Sequence, residues 1–211
     1  MTSYERKDTL KSCQAAADIL CEFLEVAIHQ ILYTRQIYPS GIFESRKKYN
    51  VPVQLSRHPD VNQYITDVLQ GIKPLIIKQE VQCLTVVILS PDRKPIERYV
   101  FELAPPTEPP AEDDSYLMIL EQSLRAFLLR INTCDSLLQE IPQDCSFNVL
   151  VYTKASATLD MEDSQFVQGF PWIEADTELS SLPDAKMIPL KTMSSHIIKM
   201  QLYVEETSDK S

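Results

Sequence analysis

Between Thr9 and Tyr38 the polar residues Glu22, Glu25 and His29 fall on one narrow helical stripe, while Ile19, Leu20, Phe23, Leu24, Val26, Ala27, Ile28, Ile31 and Leu32 cover the remaining surface. That pattern predicts a long helix buried on most sides and ended by Pro39 and Gly41. Residues 40–57 mix the basic run Arg46, Lys47, Lys48 with the alternating VPVQLS, which predicts irregular chain with edge-strand character. Pro59 and Asp60 open a second helix reaching about Lys78, because Val61, Tyr64, Ile65, Val68 and Leu69 recur at three- and four-residue spacings. Gly71 and Pro74 are expected to weaken or bend it.

The run LTVVIL at 84–89 is β-branched and continuous, as in a central strand; a turn at Ser90–Arg93 and the strand RYVFEL at 98–103 complete a hairpin. Residues 104–114 combine four prolines with Glu108, Glu112, Asp113 and Asp114 and predict a solvated loop. A third helix is predicted from Ser115 to about Gln139, with Leu120, Leu124, Phe127, Leu128 and Ile131 on its apolar face, followed by the strand SFNVLVYTK at 146–154. Beyond it, short β-like pieces at 166–167, 170–173, 187–190 and 197–204 alternate with polar stretches, which reads as a long wrapping arm ending in strands. Three helices and a mainly antiparallel sheet make an α+β fold, and 211 residues suffice for one domain with a single core.

Composition narrows the function. Hydrophobic residues at 44% and charged residues at 24% are the balance of a folded domain. A formal net charge of −10 disfavours direct nucleic-acid binding, which is built on clustered Lys and Arg. The five cysteines are odd in number and form no CxxC pair, as expected of reduced thiols in the cytosol or nucleus. The N-terminus lacks a basic region followed by an apolar stretch, and the most apolar segment carries Asp18, Glu22 and Glu25, so neither a signal peptide nor a membrane contact is expected.

With Gly41, Gly71 and Gly169 as the only glycines, no glycine-rich loop can bring backbone amides onto a phosphate. His29, His58 and His196 are isolated from one another and from cysteines at metal-ligand spacing, and the acidic residues at 108–114 lack the glycine turn of a calcium loop. Arg46-Lys47-Lys48 could serve import or touch phosphate, or simply balance an acidic surface. The residues therefore assign no catalytic, cofactor-binding or metal-ligating position.

One long segment, DILCEFLEVAIHQILYTRQIYPSGIFESRKKYNVPVQLSRHPDVNQYI, together with LTVVIL, SLRAFLLRI, FPWIEAD and IPLKTMSSHIIKMQLYVEE, resembles the HORMA family. The likeness is to the branch that supplies the non-catalytic accessory subunit of DNA polymerase zeta, and it weakens at 1–12, 104–118, 155–168 and 205–211. It implies a single HORMA domain over 1–211, with a core at about 13–153 and a C-terminal arm at about 154–211 that crosses a bound peptide like a seat belt.

The resemblance further implies an adaptor with no turnover and no cofactor. It would clamp a proline-containing peptide of a partner and bridge the catalytic subunit of DNA polymerase zeta to a scaffold deoxycytidyl-transferase translesion polymerase. Roles in double-strand-break repair and the cell cycle, and residence in the nucleus with some cytoplasm, would follow. The alternative within the family is a spindle-checkpoint protein binding mitotic regulators; a hydrolase with a Cys or carboxylate site is the alternative from another class.

Residue by residue, the resemblance places Tyr64 and Trp172 against the client peptide. From pattern alone, Tyr64 on the apolar helix face could equally pack in the core, and Trp172 could be a core plug or an interface anchor. Met187, Gln201 and Tyr203 match the scaffold-polymerase surface, with Met187 standing where the family usually has leucine, a nearly volume-conserving change. Arg125 matches the surface for a homodimer or HORMA heterodimer, but Gln36 and Ser45 replace an acidic residue and a lysine common there.

Overall fold

The computed structural model describes residues 3–105, 115–155, 172–195, 198–208 and 210. Helix α1 (Ser3–Thr34) occupies the centre, its Phe23, Leu24, Ala27, Ile28, Ile31 and Leu32 fully buried. It stops before Tyr38, because Gln36 takes a positive φ of 52° and the Ile37 N–H closes back on the Leu32 carbonyl at 3.0 Å. A single 3₁₀ turn at Ser40–Ile42 leads into strand β1 (Phe43–Lys48).

The segment expected to be irregular is a regular hairpin: β1 pairs antiparallel with β2 (Val51–Ser56) from Phe43↔Ser56 to Lys48↔Val51. Its two-residue turn is Tyr49–Asn50, with φ of 47° and 57°, the mirror-image turn that matches strand twist. Asn tolerates that conformation without glycine, and Tyr49 is held there by edge-on packing against Phe23, 6.3 Å between centroids.

Helix α2 (Pro59–Ile77) runs unbroken through both Gly71 and Pro74. Strands β3 (Val81–Leu89) and β4 (Pro95–Ala104) are longer than the apolar runs alone suggested. Helix α3 (Ser115–Thr133) is shorter than expected, since the chain tightens into a 3₁₀ turn at Cys134–Leu137. Then come β5 (Ser146–Thr153), the one-turn helix α4 (Thr177–Ser180), β6 (Lys186–Ser194) and β7 (Lys199–Glu206). The expected strand piece at 166–167 and the start of that at 170–173 lie outside the described residues, and 172–176 has no regular structure.

The large sheet is antiparallel throughout, in the order β5-β3-β4-β7-β6. The helices cover one face, where Tyr99 and Phe101 of β4 meet α1 and α3; Phe23 stacks edge-on with Phe101 at 6.3 Å and Phe127 at 5.8 Å. The terminal hairpin β6–β7 joins this sheet through β4, with Glu97↔Glu206 through Ala104↔Lys199 in register. Strand β5 is thereby left at the opposite margin, paired only with β3 on one side.

Candidate peptide-binding edge

In a strand, successive residues turn their backbone groups to alternate edges and their side chains to alternate faces. Lys154 gives its N–H to the Glu80 carbonyl at 2.9 Å, on the β3 side, whereas Val149 gives its N–H to the Tyr64 hydroxyl at 3.1 Å, on the outer side. Phe147, Val149, Val151 and Thr153 therefore turn their backbone groups outward, and Asn148, Leu150 and Tyr152 turn theirs toward β3. The same alternation sends Phe147, Val149 and Val151 to the helix face, where they pack against the core, and Tyr152 to the opposite face.

Tyr64 sits over the start of this edge. Its ring meets Phe147 edge-on at 5.6 Å, and Phe147 in turn meets Tyr38 at 6.2 Å. Burial raises the Tyr64 pKa, an effect the Val149 bond opposes, so the phenol stays protonated. Tyr64, Val68, Gly71 and Leu75 form one stripe of α2, and Gly71 lies two turns, about 10 Å, beyond Tyr64. A Cβ placed on Gly71 would stand 3.1 Å from Nε1 and 3.2 Å from Cζ2 of Trp172, so the indole lies directly on the α2 backbone. Tyr64 and Trp172, the two residues predicted to flank a client, thus both lie on this stripe of α2, about two turns apart.

The chain changes face beyond Trp172. Trp172 is on the helix face, but Ser180 is on the other face, where its carbonyl accepts from the Tyr152 hydroxyl at 3.0 Å. Residues 173–179 therefore cross from the helix face to the opposite face of the sheet near the Tyr152 end of β5. Tyr152 accepts from Arg98 Nη2 at 2.8 Å, and Arg98 Nη1 donates to Glu205 of β7 at 2.7 Å, so one polar chain ties the crossing to the terminal hairpin. An extended chain laid on the β5 edge would be enclosed by helix α2, the edge itself and the arm. Gly71, Tyr152 and Ser180 escaped the sequence reading; a glycine inside a good helix was the one available signal.

The far end of the arm is fastened by buried charge. Glu97, fully buried, accepts from Arg35 Nη2 at 2.7 Å and Nε at 3.0 Å and also pairs with Lys210. Lys210 reaches Glu206 at 2.6 Å, and the Gln139 carbonyl accepts from Arg35 at 2.6 Å and Lys210 at 3.0 Å. Burial works against the Arg35 charge, but Glu97, Tyr99 and Asp135 outweigh it and hold its pKa above the usual guanidinium value.

The remaining predicted positions divide between two surfaces. Met187 is 57% exposed on β6, Gln201 is half-buried on β7, and Tyr203 is 8% exposed with its hydroxyl donating to Glu102 at 3.0 Å. All three belong to the terminal hairpin, where Met187 faces Glu205 and Pro189 faces Tyr203 in register. Arg125 is exposed on α3, on a stripe with Leu129 and Asn132 that leads to a groove of about 910 Å³ lined by Gln36, Tyr38, Pro52, Gln54 and Asp135. Ser45 stands opposite Gln54, which lines that groove together with Gln36.

Chemistry of the thiol and imidazole kind is muted. Burial pushes the thiols of Cys21, Cys83 and Cys134 up to about 11, and that of Cys145 upward as well, which keeps them protonated at neutral pH. His29 is buried, lowered to about 4 by that burial, and its Nδ1 accepts from the Ser56 N–H at 3.4 Å. Among the described residues no cluster of His, Cys, Asp or Glu is placed to hold a metal, and no helix is long and apolar enough to cross a membrane.

Comparison with known proteins gives the same architecture. The HORMA domain family matches residues 17–182. The "Mitotic spindle assembly checkpoint protein MAD2B" of Homo sapiens is 52% identical over 210 residues, covering 100% of this chain and 99% of that one. The "DNA polymerase zeta processivity subunit" of Arabidopsis thaliana is 32% identical, covering 96% and 91%. Among solved structures, "C. elegans HTP-2 bound to HTP-3 closure motif 1" superposes with a TM-score of 0.72 over 92% of this chain and 86% of that one, at 9% identity.

Proposed function

As a member of the HORMA domain family, the chain is an adaptor, and we propose that it holds an extended, proline-containing segment of a partner on the outer edge of β5, closed in by residues 173–179. The observation that carries this reading is a proline-free marginal strand beside a segment whose ends, Trp172 and Ser180, lie on opposite faces of the sheet. Main-chain bonds from Val151 and Thr153 would supply affinity, Tyr64 and Trp172 would read the side chains, and the closed arm would slow release. It performs no turnover of its own.

The client is the catalytic subunit of DNA polymerase zeta, a reading favoured by the name of the Arabidopsis relative. Met187, Gln201 and Tyr203 on the terminal hairpin would recruit the scaffold deoxycytidyl-transferase translesion polymerase at the same time, since that hairpin lies at the sheet's other margin. Arg125 would serve pairing with a second HORMA domain, and the setting is the nucleus, with some cytoplasm. A mitotic regulator is a second kind of client, favoured by the name of the human relative, and it would use the same edge.

Capture of partners from nuclear extract on the wild-type chain and on Val151→Pro, followed by mapping of the retained peptide, tests the proposal. The wild type should retain a polymerase zeta peptide containing proline; Val151→Pro, which removes an outward donor, should retain none. Equal capture by both would place the partner elsewhere, and a mitotic regulator in place of the polymerase subunit would favour the second reading.

A further inference from the structure

Gly71 stands in the thirteenth position of a nineteen-residue helix, where glycine costs about 1 kcal/mol relative to alanine. No backbone conformation requires it: α2 is continuous there, and no glycine among the described residues has a positive φ. What does require it is Trp172, whose Nε1, Cζ2 and Cε2 would lie 3.1, 3.2 and 3.4 Å from a Cβ at this position, inside the usual 3.5–4.0 Å of carbon contacts. Gly41, by contrast, has nothing within 4 Å of such an atom.

Among the described residues, those that directly follow Trp172 stand in solvent. Ile173, the next residue, is 88% exposed, and residues 174–178 are exposed as well until the chain reaches Ser180 and its bond from Tyr152. The indole on Gly71 is therefore the point from which the crossing segment is hung, and the height at which it rests fixes how closely the arm approaches the β5 edge. We propose that Gly71 is a positioning residue for the clamp: its missing side chain is the seat of Trp172, and the size of residue 71 sets how long the closed arm holds a peptide. This role rests on the clamp reading above.

Because Trp172 is the only tryptophan, its emission reports on the seat without any ligand. The full chain would be prepared as wild type, Gly71→Ala, Gly71→Leu and Trp172→Ala, and as the double variant Gly71→Leu/Trp172→Ala. Acrylamide quenching of Trp172, unfolding by far-UV circular dichroism, and release of a fluorescent proline-containing peptide mapped on the wild type would be measured. Gly71→Leu should raise the quenching constant severalfold and speed release about tenfold or more. Gly71→Ala should shift both in the same direction by less, while its unfolding midpoint holds or rises, since alanine favours the helix. In the Trp172→Ala background, leucine at 71 should change release less than twofold, because its effect travels through the indole.

Unchanged quenching in Gly71→Leu, or altered quenching with wild-type release, would overturn the role of Gly71; so would an equal effect of leucine with and without Trp172. A wild-type chain that retains no peptide, while Trp172 still leaves its seat in Gly71→Leu, would instead contradict the clamp reading and remove the positioning role with it.

Discussion

The two margins of the five-stranded sheet are built to opposite ends. Strand β5, SFNVLVYT, has no proline, glycine or charged residue, and on its outer side Val149 meets the Tyr64 hydroxyl of α2. Strand β6, KMIPLKTMS, carries Pro189, Lys186 and Lys191 and has a register irregularity between Pro189 and Lys191. Proline offers no N–H, charge and irregularity discourage pairing, and together they blunt an edge against added strands. A sheet with two equivalent edges would pair indiscriminately; here one margin is suited to an added strand and the other is not, so on the proposal above β5 is the receiving edge and β6 the refusing one.

The refusing edge is also the anchored one, and the largest expected effect comes from cutting that anchor. Arg35→Ala would leave fully buried Glu97 with only Lys210 and the Tyr99 hydroxyl and should cost about 3–5 kcal/mol in urea unfolding, with loss of β6–β7 protection before the rest of the sheet. A cost near zero would mean that the hairpin is held by its ladder alone.

At the receiving edge, Trp172→Ala should weaken the mapped client peptide by about 2 kcal/mol in fluorescence polarisation, with a smaller change in unfolding free energy. Were stability to fall as far as affinity, Trp172 would be a core residue first. Tyr152→Phe removes the hydroxyl that joins Arg98 to the Ser180 carbonyl and should speed peptide release by about 1 kcal/mol of barrier. Pro189→Val is the smallest: stability should move within about 0.5 kcal/mol and client binding not at all, while analytical ultracentrifugation at high concentration should reveal new self-association through the restored edge.

Much of this difference was out of reach of the sequence, for identifiable reasons. Periodicity located α1, α2, the β3–β4 hairpin and the last two strands, because each buries a continuous apolar face, whereas the strand expected to end at Ile173 is irregular at 172–173. It missed the β1–β2 hairpin, whose turn Tyr49–Asn50 carries no glycine and is stabilised by a ring contact with distant Phe23. It extended α3 to Gln139, since the 3₁₀ turn at Cys134–Leu137 keeps nearly helical spacing. Which strand lies at a margin is a matter of strand order, and β5 reads as apolar whether central or marginal. Tyr64 and Trp172 became candidates only through resemblance, and their places against α2 depend on the contacts of Val149 and Gly71, which no sequence pattern displays. Met187, Gln201 and Tyr203, which came through the resemblance, all lie on the terminal hairpin, where Tyr203 spends its hydroxyl on Glu102.

The most direct test of the receiving edge is amide hydrogen exchange across β5 with and without bound client. The even-numbered amides of Asn148, Leu150 and Tyr152 already pair with β3 and should exchange slowly in both states, and Val149 should be partly protected by Tyr64. Val151 and Thr153 should exchange fast in the free chain and slow by at least about tenfold when the peptide is bound, with the β6 amides unchanged. Protection appearing along β6, or none at Val151 and Thr153, would contradict the assignment of β5 as the edge on which the partner is held.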